Sequence, residues 1–239
     1  MRTTFVRRTV LTTSAVSLAL LVTACGAAEK ADAKGDAEPS ASAPASAASA
    51  APTGKGKTGA AVAGLLLTQG DLPDHTFSDF SLDGPGGRDT STSDKPECKV
   101  LAQLQTSVPL GTPTGAARTS VLAPTRSSAT AVTLASYAGK GAEETFSAVK
   151  TASRTCAGGY LAGHYGDTLQ ITKVSSGAYA AAGDEALALT FETDTGGEAL
   201  PTLVFVRKGD TVAAFSTASD ARTVDQGKPV VDAQVAKLG

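Results

Sequence analysis

Residues 26–59 constrain the fold most, because their composition cannot build a core. They are mainly Ala, Ser, Pro, Gly and Lys with a few acidic residues, and they contain no aromatic and no β-branched hydrophobic side chain. Too little apolar surface is available there to offset the entropy that ordering would cost. We therefore predict a disordered tether at residues 25–61. The single folded domain that we predict at residues 62–239 is long enough for one hydrophobic core.

The N-terminus has the layout of a secretory signal. A basic start is followed by an apolar run at residues 16–22, which is shorter than the ~20 residues that a spanning helix needs. The run ends in VTAC, which resembles the bacterial lipobox, where the cysteine is diacylated and becomes the first residue of the mature protein. We expect removal of residues 1–24, a palmitate-type lipid on Cys25, and retention on the extracytoplasmic face of the cell membrane. An ordinary signal peptide with an incidental cysteine is the alternative, and Arg7-Arg8 leaves both the general secretory and the twin-arginine route open.

The charge of the chain argues against a nucleic-acid partner. The formal net charge is −2, and removal of the signal with its arginines makes the mature chain more acidic. No block of Lys or Arg supplies the basic surface that nucleic acid requires. Anionic lipid headgroups would not attract such a chain either, so we expect membrane attachment to come from the lipid on Cys25.

Cys98 and Cys156 are the cysteines that remain once Cys25 is assigned to the lipid. Disulfides persist outside the cytoplasm, and one pairing is available, so we predict a Cys98–Cys156 disulfide. It would close a loop of about 59 residues and add roughly 4 kcal/mol of stability. Two free thiols, or a redox pair, are the alternative, although the wide separation lacks the CxxC spacing that tunes a reactive thiol.

Apolar periodicity predicts an α+β fold with an antiparallel β-sheet and about three helices packed on it. The clearest helix covers residues 141–156, where Glu143 and Glu144 suit the positive end of the helix dipole and Lys150 and Arg154 the negative end. The disulfide would join this helix to an earlier one. The other two helices are expected from Pro96 and over residues 229–238, and the strands over 77–82, 118–123, 130–137, around 169–171, and over 186–192, 203–207 and 212–217.

Several segments resemble one known kind of domain. The stretches LLLTQGDLPDHTF and LVFVRKGDTVAAFSTAS, together with a cysteine-bearing helix and YAGKGAEETFSAVKTASRTCAGG, are similar to actinobacterial surface lipoproteins. The domain of those proteins resembles the extracellular sensor domain of PknH-type serine/threonine kinases. Over roughly residues 62–239, the resemblance implies an antiparallel sheet that forms a cleft, disulfide support and a bound ligand. Sensor domains of that family carry a second disulfide, for which this chain has no cysteines.

Patterns typical of metal binding and of catalysis are missing from the sequence. His75 has Asp71 and Asp74 nearby, but a zinc site needs three or four ligands in register, so we predict a solvated loop and no metal. His164 lies in a Gly-rich connection and could line a pocket, although a surface turn is the preferred prediction. No GxSxG elbow places a nucleophilic serine, so we predict no catalytic residue and no cofactor.

Two further groups of residues are candidates for a catalytic or a ligand-binding site. Asp184 and Glu185 could serve as paired carboxylates for glycoside cleavage, but adjacent residues on a strand point to opposite faces. Tyr160, Tyr165 and Tyr179 fall in predicted connections and could rim a cleft, although isolated loop tyrosines are the usual interpretation.

These observations favour a non-enzymatic ligand-binding or sensor-like domain that its lipid displays on the outer face of the membrane. A small molecule or a lipid is the expected ligand, and the sequence does not identify the residues that bind it. An interaction module that docks to another envelope protein is the alternative, and it would show an exposed apolar patch in place of a cavity. A cell-wall hydrolase is the third hypothesis.

Overall fold

Nine strands pair into one sheet in the computed structural model, which describes residues 54–79, 88–164, 166–194, 200–219 and 224–239. The strands are β1 (Thr76–Asp79), β2 (Thr92–Ser93), β3 (Gly115–Leu122), β4 (Ser128–Ser136), β5 (Tyr160–His164), β6 (Asp167–Ala178), β7 (Glu185–Thr193), β8 (Thr202–Lys208) and β9 (Thr211–Ser219). The helices within these ranges are α1 (Gly59–Ala63), α2 (Lys99–Gln105), α3 (Gly141–Thr155) and α4 (Lys228–Lys237). None of these described helices is both long and apolar enough to cross a membrane.

The sheet is antiparallel throughout, with the strand order β1-β3-β4-β9-β8-β7-β6-β5-β2. This confirms the predicted α+β fold with its single antiparallel sheet. The register of β6 against β7 shifts between Ile171 and Lys173, which is typical of a β-bulge and bends the strand locally.

Both faces of the sheet are covered, because helices pack on each side. Alternation along β8 sends Leu203 and Phe205 into one hydrophobic cluster, under α2 and α3. The same alternation sends Val204 and Val206 into a second cluster, which includes buried residues of α1 and α4. A strand that is buried on both faces needs a nearly continuous apolar run, which explains the sequence TLVFVRK of β8.

Helix α3 carries the signals that the sequence analysis recognised. Glu143 and Glu144 lie in its first turn and Arg154 in its last. The chain leaves the helix through Gly159, whose φ is +85° and where a Cβ atom would lie 2.2 Å from the carbonyl oxygen of Ile171. Only glycine tolerates both conditions. Gly159 therefore determines where the chain turns from α3 into β5.

The Cys98–Cys156 disulfide is present, with a sulfur–sulfur distance of 2.00 Å. Cys98 immediately precedes α2 and Cys156 immediately follows α3. The bridge therefore joins the two helices that cover the first cluster, as predicted.

The strap, residues 54–58, lies within the segment predicted as tether but contacts the sheet. The backbone of Lys57 donates to Ser136 Oγ at 2.9 Å and accepts from Thr114 Oγ1 at 2.9 Å, and its ammonium group pairs with Asp210. Gly56 has a φ of +70°, a conformation that favours glycine. Helix α1 follows directly, so ordered structure begins before the predicted boundary at residue 62.

Some elements were not predicted, because they are too short to give a periodic signal or because their residues are typical of a loop. Strand β2 has two residues, and β5 replaces part of a predicted Gly-rich connection. Helix α1 has five residues and no acidic residue in its first turn. The C-terminal half of the predicted first strand, residues 80–82, lies outside the described residues.

Candidate functional site

A pocket opens between the C-terminal half of α3 and the paired strands β6 and β7. Its volume is about 390 Å³. We call it the α3–β7 pocket, and it is lined by Phe146, Lys150, Ser153 and Arg154 of α3 and by the strand segments 176–178 and 185–187.

The helical spacing of the lining residues explains why they meet in one place. Phe146, Lys150 and Arg154 are four residues apart in sequence, so they form one row along the surface of α3. In the sheet, Ser176 and Ala178 lie opposite Leu189 and Leu187, which belong to the cluster under α3. Alternation therefore directs these side chains towards the helix, while Gly177 faces the other side of the sheet.

The floor of the pocket is apolar and well packed. Phe146 and Leu187 are only 3% and 8% exposed. Beside them, the buried hydroxyl of Ser153 donates to the carbonyl oxygen of Lys150 at 3.0 Å and lies 3.1 Å from Ser176 Oγ. This hydroxyl pair connects the helix to the sheet at one wall of the pocket.

The mouth of the pocket is positively charged. Lys150 and Arg154 are exposed, and neither makes an ion pair or a side-chain hydrogen bond to any residue that the structure describes. Glu185 also lines the pocket, but its carboxylate accepts from Arg207 Nε at 2.8 Å. The negative charge of Glu185 is thus already compensated, and the positive charges of Lys150 and Arg154 are not.

Asp184 and Glu185 meet on one arginine, which corrects the geometric argument made from sequence. Arg207 Nη1 lies 2.9 Å from Asp184 Oδ2, while Nε contacts Glu185. Asp184 precedes β7, so the alternation of a strand does not apply to it. The two carboxylates are engaged as a salt bridge to Arg207 on the rim of the α3–β7 pocket.

A second depression lies on the opposite side of α3, and we call it the outer groove. Its volume is about 570 Å³, and it is lined by small side chains and by three acidic residues, Glu97, Glu143 and Glu144. It continues into a depression of about 450 Å³ beside Tyr137 and Leu110, with Val100, Glu144 and Ala148 shared by both. The outer groove lies between α3 and the start of α2, and no strand residue is among those that line it.

His164 is not in a surface turn, contrary to the sequence prediction, but at the end of β5. Both of its ring nitrogens are shielded from solvent, and neither has a hydrogen-bond partner among the described residues. Burial lowers the pKa of His164, and the carboxylate of Asp89 only partly opposes this shift. The imidazole does not line the α3–β7 pocket.

His75 and its neighbours do not assemble a metal site. Asp71 instead accepts from the Thr68 backbone N–H at 2.7 Å and from Lys237 Nζ at 2.7 Å. Within the described ranges, no group of three or more His, Cys, Asp or Glu residues is placed to hold a metal ion.

Of the tyrosines that could rim a cleft, the two that the structure describes, Tyr160 and Tyr179, are not brought together. Tyr160 is buried in the cluster under α3 and its hydroxyl accepts from Gln105 Nε2 at 3.2 Å; burial raises its pKa. Tyr179 packs against the cluster on the opposite face of the sheet. Tyr165 lies outside the described residues, as does Cys25.

Sequence reasoning missed the α3–β7 pocket, because it assigned Lys150 and Arg154 to the helix dipole alone. The signal that could have found it is the row Phe146, Lys150, Arg154, in which an aromatic residue is followed by two cations on the same helix face. The strand residues of the pocket carry no comparable signal, since Ser, Gly and Ala are unremarkable in a loop-flanked strand.

Comparison with known proteins gives one structural match of note. No family model and no curated protein matches the chain. The chain is similar to the crystal structure of the extracellular domain of PknH from Mycobacterium tuberculosis, with 14% sequence identity and a TM-score of 0.45. The match covers 76% of this chain and 96% of that chain.

Proposed function

We propose that this protein is a membrane-anchored, extracytoplasmic domain of the sensor type that binds a small molecule in the α3–β7 pocket and does not transform it. The observation that carries this proposal is the pocket itself. It combines a packed apolar floor with polar side chains at the mouth, the composition typical of ligand sites.

The chemistry of the pocket wall supports binding over catalysis. The buried serine, Ser153, is bonded to the backbone of Lys150 and lies against Ser176, and no histidine lines the pocket. The carboxylate that does line it, Glu185, is held by Arg207. A nucleophilic hydroxyl needs a base within hydrogen-bond reach, and this wall supplies none.

The proposed anchor is the lipid on Cys25, which is supported by the VTAC sequence and the signal-like residues before it. Residues 26–53 then connect the lipid to the strap. As a flexible chain they would have a root-mean-square span of roughly 30 Å. That length would hold the folded domain away from the membrane surface.

Docking to an envelope protein is less well supported by the surface. A docking module would be expected to expose a contiguous apolar patch. Leu161 is the one large hydrophobic side chain that is exposed in the described part of the chain, and a single residue does not make a patch.

Native mass spectrometry of the full chain, purified in detergent from its host membranes, tests the ligand. We expect an excess mass that disappears on denaturation, and its loss from the variant Ala178→Leu, which fills the pocket from β6. The matched control is Ala180→Leu, the same substitution at an exposed residue that does not line the pocket. Absence of excess mass in the wild type, or its persistence in Ala178→Leu, would contradict the proposal.

The anchor is tested separately by substituting Cys25. We expect Cys25→Ala to appear in the culture medium, while the wild type stays with the membranes and carries a mass increase that matches a diacylglyceryl group. Equal partitioning of both proteins would argue for an ordinary signal peptide.

A further inference from the structure

We infer that the α3–β7 pocket selects a small organic anion, whose charged group lies between Lys150 and Arg154 and whose apolar part rests on Phe146 and Leu187. This inference rests on the proposed function, because it specifies the ligand of the same pocket.

The two cations are neighbours on one helix, and neither pairs with a carboxylate of the residues that the structure describes. Lys150 and Arg154 are separated by four positions on α3, so their Cβ atoms are about 5–6 Å apart, and like charges at this spacing destabilise a helix. Favourable interaction with the helix dipole falls off within the last turn and so accounts for Arg154 but not for Lys150. An anion bound between them would relieve the repulsion and accept charge-assisted hydrogen bonds from both.

The arrangement around Glu185 preserves this positive charge. A free carboxylate at the rim would pair with Lys150 or Arg154 and would repel an anionic ligand. Instead, Arg207 is only 14% exposed and binds the carboxylates of both Asp184 and Glu185. With Arg207 included, the rim carries three positive groups against two carboxylates, and the cations Lys150 and Arg154 stay available for an anion.

The apolar floor of the pocket favours a ligand that carries an apolar group beside its charged group. Phe146 and Leu187 are the apolar side chains of the lining and are themselves buried, so a ligand with an apolar group would remove the surface of that group from water by placing it against them. Burial of apolar ligand surface on these side chains would contribute about 25 cal/mol per Å². A volume of about 390 Å³ is near the lower end of ligand pockets, which span about 300–1,000 Å³, and this favours a small metabolite over a long-chain lipid.

Fluorine NMR with a matched set of probes tests the sign of the selected charge. The full chain in detergent is titrated into 4-fluorobenzoate, 4-fluorophenyl phosphate, the neutral 4-fluorobenzamide and the cationic 4-fluorobenzylamine, and line broadening reports binding. We expect the anions to bind at least about tenfold more tightly than the amide, and no binding of the amine. The comparison of benzoate with phenyl phosphate shows whether a carboxylate or a phosphate is the preferred group.

Substitution of each cation locates the binding site of the anion. Lys150→Gln and Arg154→Gln should each weaken benzoate binding by about tenfold, and Ala178→Leu should abolish it. The matched control is Lys140→Gln, since Lys140 is an exposed lysine at the start of the same helix and does not line the pocket. The double variant Lys150→Glu/Arg154→Glu should prefer the amine to the benzoate, and thermal melting of every variant confirms that it is folded.

The failure of this inference is distinguishable from failure of the proposed function. Equal binding of amide and benzoate, unchanged binding in the Gln variants, or binding of no probe would overturn the selection of an anion. If the excess mass of the wild type is nevertheless lost in Ala178→Leu, the pocket still binds a ligand and the proposed function stands. If that mass is absent, both are wrong.

Discussion

Phe146 of α3 stacks on Phe205 of the central strand β8, with ring centroids 5.7 Å apart and an angle of 16° between the ring planes. This contact fixes the helix on the sheet directly beneath the α3–β7 pocket. The row of side chains that begins at Phe146 therefore has a fixed position relative to β6 and β7.

Truncation of Phe146 should be strongly destabilising. We expect Phe146→Ala to lower the free energy of unfolding by about 3–5 kcal/mol, because the lost ring leaves a cavity in a packed core. Urea denaturation followed by circular dichroism measures the change. Phe77→Ala is the control, since Phe77 is half-buried on the edge strand β1. This substitution should lower the free energy of unfolding by less. An equal decrease in both variants would contradict the central role of the stacked pair.

Removal of the disulfide should destabilise the domain without changing its architecture. The bridge spans 58 positions of sequence, and the loop-closure argument gives a loss of about 4 kcal/mol for Cys98→Ala/Cys156→Ala. Denaturation with and without a reducing agent measures this loss in the wild type. Reducing agent should leave the double variant unaffected; equal stability of the oxidised and reduced wild type would show that the bridge constrains nothing.

Gln234 should be required for its hydrogen bonds although it lies in an apolar cluster. It is completely buried in α4; its side chain accepts from the Leu67 backbone N–H at 3.1 Å and donates to the Leu65 carbonyl at 2.8 Å. Gln234→Leu keeps the volume but leaves these backbone groups unpaired, at a cost of about 1–3 kcal/mol. Denaturation of this variant should be compared with that of Ala236→Leu, which introduces a leucine at an exposed position of the same helix, where a change within about 0.5 kcal/mol is expected. Equal stability of Gln234→Leu and the wild type would show that the two backbone groups find other partners.

Asp71 should stabilise the domain at neutral pH, and this contribution should be lost in acid. Hydrogen bonds from Lys237 and from Thr68 lower the pKa of Asp71 from 3.8 to about 2. Because the folded state binds the proton more weakly than the unfolded state, this contribution is present above about pH 4 and is lost as the pH falls towards 2. Denaturation across this range should show a flatter pH dependence for both Asp71→Asn and Lys237→Gln; an unchanged slope in both would exclude the pair as its source.

The parts of the fold that sequence could predict are those with strong local signals. Alternation in β7, the apolar run of β8 and the charged ends of α3 gave the sheet and its main helix. The pairing of Cys98 with Cys156 followed from the cysteine count. Apart from the pairing of the two cysteines, each of these signals belongs to a single segment of sequence.

The candidate site could not be predicted in the same way, because it depends on contacts between distant segments. Ser153 and Ser176 meet only after α3 has packed on β6, and Glu185 is paired with Arg207 only because the register of β7 with β8 places the two residues opposite each other. Strand β5 was missed because Gly163 and its neighbours are typical of a loop until the register with β6 is known.

The strap also determines where the domain would bear a mechanical load. Its backbone is bonded to Gly139 through Gly54 and to Ser136 through Lys57, and the Lys57 ammonium pairs with Asp210 in the turn between β8 and β9. A pull on the chain ahead of Gly54 would therefore be transmitted first to the ends of β4, β8 and β9, in the interior of the sheet. The load would not act first on the edge strand β1. Tension along the tether would therefore not separate the strands one by one from the edge of the sheet.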